Sequence, residues 1–182
     1  MQSLSEVVFQ IKQDVTNKID VWLIEYPPFN LDPNLVRVLS QDEKIRAQKY
    51  KTPRAYNEFI FSRGFLRTIL GLYLATPSKD LYFTYTQFHK PFLKTSGATP
   101  LFFNVSHSRD LIAYIISSVG EVGIDIEYKQ TLPDVEYVIE MLFSSEEQLH
   151  FSHCQTSEEQ HDFFYDILTK CNFYKFYLYI II

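Results

Sequence analysis

Apolar positions alternate over residues 20–26, Asp-Val-Trp-Leu-Ile-Glu-Tyr, and stop at Pro27-Pro28, which predicts a strand closed by a breaker. Ser40-Gln-Asp-Glu43 is a capping box, in which the serine hydroxyl and the glutamate carboxylate each satisfy an orphan N–H, and it starts a polar helix running to about Tyr50. Thr52-Pro53 starts a second helix. Its apolar residues Tyr56, Phe59, Ile60, Leu66, Ile69, Leu70 and Tyr73 follow helical spacing to about Leu74 and predict a largely buried element. Short β-branched and aromatic runs come next, over 81–85, 91–93, 101–105, 111–117 and 122–128, with turn residues between them, and several are expected to pair antiparallel. Beyond Pro133 the pattern is helical again, with capping boxes at Ser144-Ser-Glu-Glu147 and Thr156-Ser-Glu-Glu159. Strand, helices, strands, helices is an α+β order, without a long linker or an evident repeat.

Residues 168–182 depart from this pattern. The segment holds no acid, glycine or proline, and its continuously apolar part, from Phe176, is seven residues long. A spanning helix needs about 20, so the expectation is an interfacial segment or an exposed, β-prone end, with no membrane anchor. The 182 residues, 46% apolar and 21% charged with 16% aromatic side chains, suffice for a core without disulfides or metal staples. Only two cysteines occur and the N-terminus lacks a basic, apolar leader, which points to a reducing compartment, the cytoplasm.

A net charge of −5 argues against a general nucleic-acid binder, but it hides a division along the chain. Residues 1–97 carry 13 Lys/Arg against 9 Asp/Glu, whereas residues 98–182 carry 4 against 13. A basic face meeting an acidic one suits an anionic ligand with a divalent cation; two unrelated solvated surfaces are the plainer alternative.

Three stretches hold the candidate chemistry. In Gly123-Ile-Asp-Ile-Glu127, strand alternation puts Asp125 and Glu127 on one face, where a hard cation such as Mg²⁺ would relieve their repulsion; a solvent-facing strand edge is the alternative. In Phe103-Asn-Val-Ser-His-Ser-Arg-Asp110, Ser106 and His107 are neighbours on an extended chain and point to opposite sides, which argues against a hydrolase dyad. Hydroxyls, backbone N–H groups and an imidazole at a strand end suit phosphate oxygens. The basic set is Arg46, Arg54, Arg63, Arg67 and Lys90. Arg63 and Arg67 share one face of a largely apolar helix and need an anion, either an internal carboxylate or a bound phosphate. His150, His153, Cys154 and His161 fit no standard zinc spacing and read as a solvated helix face.

In series these stretches resemble the surfactin-type 4′-phosphopantetheinyl transferases. The blocks are Leu39-Ser40-x-Asp42-Glu43-x-x-Arg46-Ala47, Arg63-x-x-Leu66-Arg67, Lys90-Pro91, Phe103-Asn104-x-Ser106-His107-Ser108, Gly123-Ile-Asp-Ile-Glu127 and Phe143-Ser144-x-x-Glu147, in that family's order. The resemblance runs from about Val21 to Asp166. It implies a fold of two similar α/β halves with the second incomplete: residues 1–119 with the basic CoA-binding blocks, and residues 120–182 with the metal-binding acids and an atypical tail. It also implies transfer of the phosphopantetheine arm of coenzyme A to a serine of an acyl or peptidyl carrier protein, with Mg²⁺ as cofactor. Arg46, Lys90 and His107 would then contact the 3′-phosphoadenosine end of CoA, Ser106 would lie at the nucleotide, and Asp125 with Glu127 would hold Mg²⁺ and serve catalysis. The family's following block resembles Trp-x-x-Lys-Glu-x-x-x-Lys, whose glutamate is the third acid and the base. Here Phe164-Tyr-Asp-Ile167 leads into Leu168-Thr-Lys-Cys-Asn172, without that tryptophan or glutamate. A truncation or reading-frame change near residue 168 would produce such a shift. Two other readings compete: a non-catalytic CoA- or carrier-binding remnant of the family, and a metal-dependent phosphoesterase built on Asp125 and Glu127, which would leave the basic blocks without a purpose.

Overall fold

The computed structural model describes residues 8–12, 19–26, 31–87, 91–93, 100–128, 135–170 and 177–181, with side chains placed for 19–26, 31–87, 91–93, 100–128 and 135–167. Four antiparallel strands form the central sheet in the order β1-β2-β6-β5: β1 (Val8–Lys12), β2 (Ile19–Glu25), β5 (Phe102–Ser108) and β6 (Leu111–Ser117). Between β2 and β5 come α1 (Pro33–Arg37), α2 (Gln41–Ala47), α3 (Pro53–Leu74), a 3₁₀ turn at Ser78–Asp80 and a small hairpin of β3 (Phe83–Tyr85) with β4 (Pro91–Leu93). After β6 follow β7 (Gly123–Glu127), α4 (Val135–Leu142), α5 (Ser145–Ser152), α6 (Ser157–Lys170) and β8 (Tyr177–Ile181), which pairs parallel with β7. The α+β architecture agrees with the sequence pattern.

The helix boundaries follow from local chemistry. Ser40 closes a capping box with Glu43, whose carboxylate accepts the Ser40 N–H at 3.0 Å. Thr52 Oγ1 accepts the Ala55 N–H and Pro53 supplies the first turn of α3, so the 22-residue helix begins where Thr-Pro predicts. The Ser144–Glu147 and Thr156–Glu159 boxes form as well. Three features lay beyond the pattern reading. α1 starts at Asp32-Pro33 through an aspartate cap, β1 adds an edge strand, and residues 177–181, in the end expected to be β-prone, form a strand parallel to β7.

β6 is buried on both faces, and period-two alternation divides its side chains between two cores. Ile112, Tyr114 and Ile116 pack against Ile60, Phe61, Phe65, Ile69 and Leu70 of α3. Ala113 and Ile115 face the other way, with Val21, onto Val122, Ile124 and Ile126 around β7. An aromatic row, Tyr26–Phe61–Phe65–Tyr114, links the first core at ring separations of 5.2–6.0 Å, and the buried Tyr114 hydroxyl donates to the Ser62 carbonyl. A third cluster joins α4, α5 and α6 through Ile139, Phe143, Phe151, Phe164, Tyr165 and Ile167.

α1 crosses α3 at Gly64, where a Cβ would lie 2.8 Å from both Leu35 Cβ and the Leu35 carbonyl oxygen. Backbone on one side of that contact cannot yield cheaply. Gly64→Ala is expected to destabilise the fold by about 1–3 kcal/mol through overpacking, despite alanine's better helix propensity, as read from the midpoint of urea unfolding.

Candidate active site

β5 divides its side chains as β6 does. Phe103 packs with Val105 in the α3 core, and His107, next in that alternation, reaches α3. Phe102 packs in the β7 core, and Ser106 and Ser108, on that same face, meet β7. Ser106 Oγ donates to Asp125 Oδ1 at 2.6 Å, and Ser108 Oγ donates to Glu127 Oε2 at 3.4 Å. The Ile126 and Tyr128 N–H groups in turn donate to Ser106 Oγ (3.3 Å) and Ser108 Oγ (3.1 Å). Both serine–acid pairs are separated by 19 residues, so β5 and β7 run in the same direction with their chemistry in step. The hydroxyls orient the carboxylates without neutralising them. Two anionic groups therefore share one strand face, Asp125 half-buried and Glu127 exposed.

On the opposite side of β5, His107 Nε2 lies 3.4 Å from Glu58 Oε1 of α3. These two residues, with Tyr50, Ala55, Phe59 and Ser62, line an open pocket of about 240 Å³. Arg46 of α2 places its guanidinium 5.6 Å from the centre of the ring of Phe59, one of the residues that line that pocket. Ser106 and His107 thus face different sites, and a Ser–His dyad is sterically excluded, as the alternation predicts.

The remaining basic residues take internal or surface partners. Arg67 is buried, donating through Nε to Glu43 Oε2 at 2.6 Å and through Nη1 to the Ser78 and Leu81 carbonyls. Arg63 Nε stands 3.5 Å from the second oxygen of the same carboxylate. For Arg67 the required anion is therefore the internal Glu43. Arg54 pairs with Asp110 on the surface at 2.9 Å. Lys90 lies outside the described residues, as do Cys171 and Asn172. Arg109, in the β5–β6 turn with φ of 52°, stacks over Tyr128, while the Tyr165 hydroxyl on α6 donates to the Tyr128 carbonyl at 3.5 Å, so α6 abuts the end of β7. Among the described residues no group of three or more His, Cys, Asp and Glu converges as a metal site; Asp125 and Glu127 are a pair. No described helix is long and apolar enough to cross a membrane.

Comparison with known proteins decides the lineage. Residues 31–119, the segment that builds α1 to β6, match the family described as "4′-phosphopantetheinyl transferase, N-terminal". The 4′-phosphopantetheinyl transferase HetI of Nostoc sp. (strain PCC 7120) is 33% identical over 132 residues, covering 71% of this chain and 55% of HetI. These matches support the 4′-phosphopantetheinyl transferase superfamily. A second relative of this superfamily, the putative transferase slr0495 of Synechocystis sp. (strain PCC 6803), is 29% identical over 117 residues, covering 64% of this chain and 48% of its own length. A third, AcpT of Salmonella typhi, is 62% identical over 32 residues, which is 18% of this chain and 17% of AcpT. The chain spans about half the length of HetI and slr0495.

Sequence reasoning missed Glu43 as the anion of the helix arginines, and it missed Glu58 and Phe59 as neighbours of His107 and Arg46. The signal for Glu43 was present: a glutamate at the third position of a capped helix facing a helix with arginines four apart. Removing that carboxylate strands two guanidinium groups. Glu43→Ala is expected to cost about 3–5 kcal/mol of stability, the scale of breaking a buried ion pair, measured by chemical denaturation.

Proposed function

We propose that this chain binds coenzyme A and transfers its 4′-phosphopantetheine arm to a serine of an acyl or peptidyl carrier protein, in a Mg²⁺-dependent reaction. The observation that carries the reading is the two-sided β5. One strand presents His107 toward the Arg46–Phe59 pocket and Ser106 and Ser108 toward Asp125 and Glu127, so a polyanion at its end would meet basic groups on one flank and metal-binding acids on the other. In this reading residues 1–119 supply the basic blocks, Arg46, Lys90 and His107 at the 3′-phosphoadenosine end with Ser106 at the nucleotide. Residues 120–182 supply the acids.

The donor set fits Mg²⁺: two hard, anionic oxygen groups on one strand face, oriented by serine hydroxyls, leave coordination positions for diphosphate oxygens and water. Asp125 and Glu127 would hold the ion, which when bound neutralises charge on the diphosphate. In the transfer, the carrier's seryl oxygen forms a bond to the β-phosphorus. The bond from that phosphorus to the bridging oxygen breaks, and the oxygen leaves with 3′,5′-ADP. The seryl proton must leave in the same step. In Leu168–Asn172 no carboxylate stands where the family's third acid belongs, so that proton goes to solvent and the reaction is slow.

Two outcomes test the proposal. Isothermal titration should show CoA bound more tightly than dephospho-CoA, and Arg46→Ala should weaken CoA by about 1–3 kcal/mol through loss of a charge-assisted contact. Equal affinity for the two ligands would remove the 3′-phosphate assignment. Incubation with an apo carrier protein, CoA and Mg²⁺, followed by carrier mass, should show transfer slower than that of a complete family member by about 10²–10⁴-fold. An undiminished rate would show that another residue serves as base.

A further inference from the structure

The α2–α3 junction contains one carboxylate for two guanidinium groups. Glu43 and Arg67 are each about 1% exposed at the side chain and Arg63 about 10%, so the cluster holds a surplus positive charge away from water. Arg67 accounts for one charge completely, with Glu43 Oε2 and two carbonyls as acceptors. Arg63 is different. Its approach to Glu43 Oε1, at 3.5 Å, makes no hydrogen bond, and its Nη1 is buried with no hydrogen-bond partner. Among the described residues it also faces the rings of Phe59 and Phe83, at 5.9 and 5.6 Å, with Tyr85 nearby. A buried, under-compensated guanidinium is costly unless another charge offsets it.

Phe59 shows where that charge would act. The same ring receives Arg46 at 5.6 Å and lines the pocket shared with His107 and Glu58. Arg63 is therefore one ring away from a residue that lines the pocket, in a medium that screens its field weakly. Burial holds its guanidinium below the usual arginine range even with Glu43 opposing, and the adjacent Arg46 pushes in the same direction as burial.

Resting on the CoA reading above, we infer that Arg63 is a positioning residue for the anion site: its under-compensated buried charge, acting past Phe59, adds a weakly screened attraction for the 3′-phosphate that Arg46 and His107 touch. The unusual feature of this device is that its charge never contacts the ligand. An anion bound beside Arg46 would supply the balance that Glu43 alone cannot give to two arginines.

The test is the ratio of CoA to dephospho-CoA affinity, measured by titration calorimetry on the full chain at low salt. A residue that only props up the fold would change both affinities together. Arg63→Met is expected to lower the ratio by about fivefold, and Arg63→Lys, which retains the charge, to restore most of it. A second measurement needs no variant. Because salt screens exposed charges far more than buried ones, the wild-type chain should keep about a threefold preference for CoA at 1 M KCl. An unchanged ratio in Arg63→Met, or a preference abolished by salt, overturns the role of Arg63. A wild-type chain with no preference for CoA at low salt instead removes the underlying reading, so the two failures are separable.

Discussion

The period-two alternation of a single strand, β5, is the constraint on which the candidate site depends. Because successive side chains on an extended backbone leave on opposite faces, Ser106 and Ser108 are committed to β7 once Phe103 and Val105 are committed to the α3 core. A slip of one residue would aim His107 at the acids and put two serines into the aromatic core. Burial of β6 on both faces fixes that register, since β5 pairs with it over its whole length from Phe102↔Ser117 to Ser108↔Leu111. Hydrophobic packing thereby sets the geometry of polar groups that contribute little to stability themselves.

Electrostatics follow the same division. On the α3 side of β5, His107 and Glu58 line a pocket with Phe59, over whose ring Arg46 lies, while Asp125 and Glu127 occupy the β7 side. Beneath the basic flank, Glu43 holds α2 against α3 and, through Arg67, the loop that leads to β3. This buried pair is a structural element. It consumes one arginine that the sequence offered for ligand binding and leaves Arg46 and Arg63 around Phe59.

The elements were legible where local chemistry decides them. Thr52-Pro53 and the capping boxes at Ser40, Ser144 and Thr156 mark helix starts, the apolar run 111–117 marks a strand buried on both faces, and alternation in 123–127 marks one whose polar and apolar faces are real. The opposed directions of Ser106 and His107 follow from the same rule. What alternation cannot supply is the partner across a tertiary gap: that Glu43 meets Arg67 over 24 residues, that Glu58 faces His107, or that residues 177–181 align beside β7. Those pairings depend on how α2, α3 and the sheet stack, which one-dimensional periodicity leaves open. α1 was missed although Asp32-Pro33 is a sound start signal, because five residues are too few to establish a helical period.

The central claim is that the two faces of β5 act on different parts of one ligand, and a crossed titration tests it most directly. CoA affinity is measured with and without Mg²⁺, and against dephospho-CoA, for His107→Ala and for the double variant Asp125→Asn, Glu127→Gln. The account predicts that the histidine variant loses discrimination for the 3′-phosphate but keeps the gain from Mg²⁺, and that the acid variant does the reverse. Loss of both properties in either variant, or of neither in both, would contradict it.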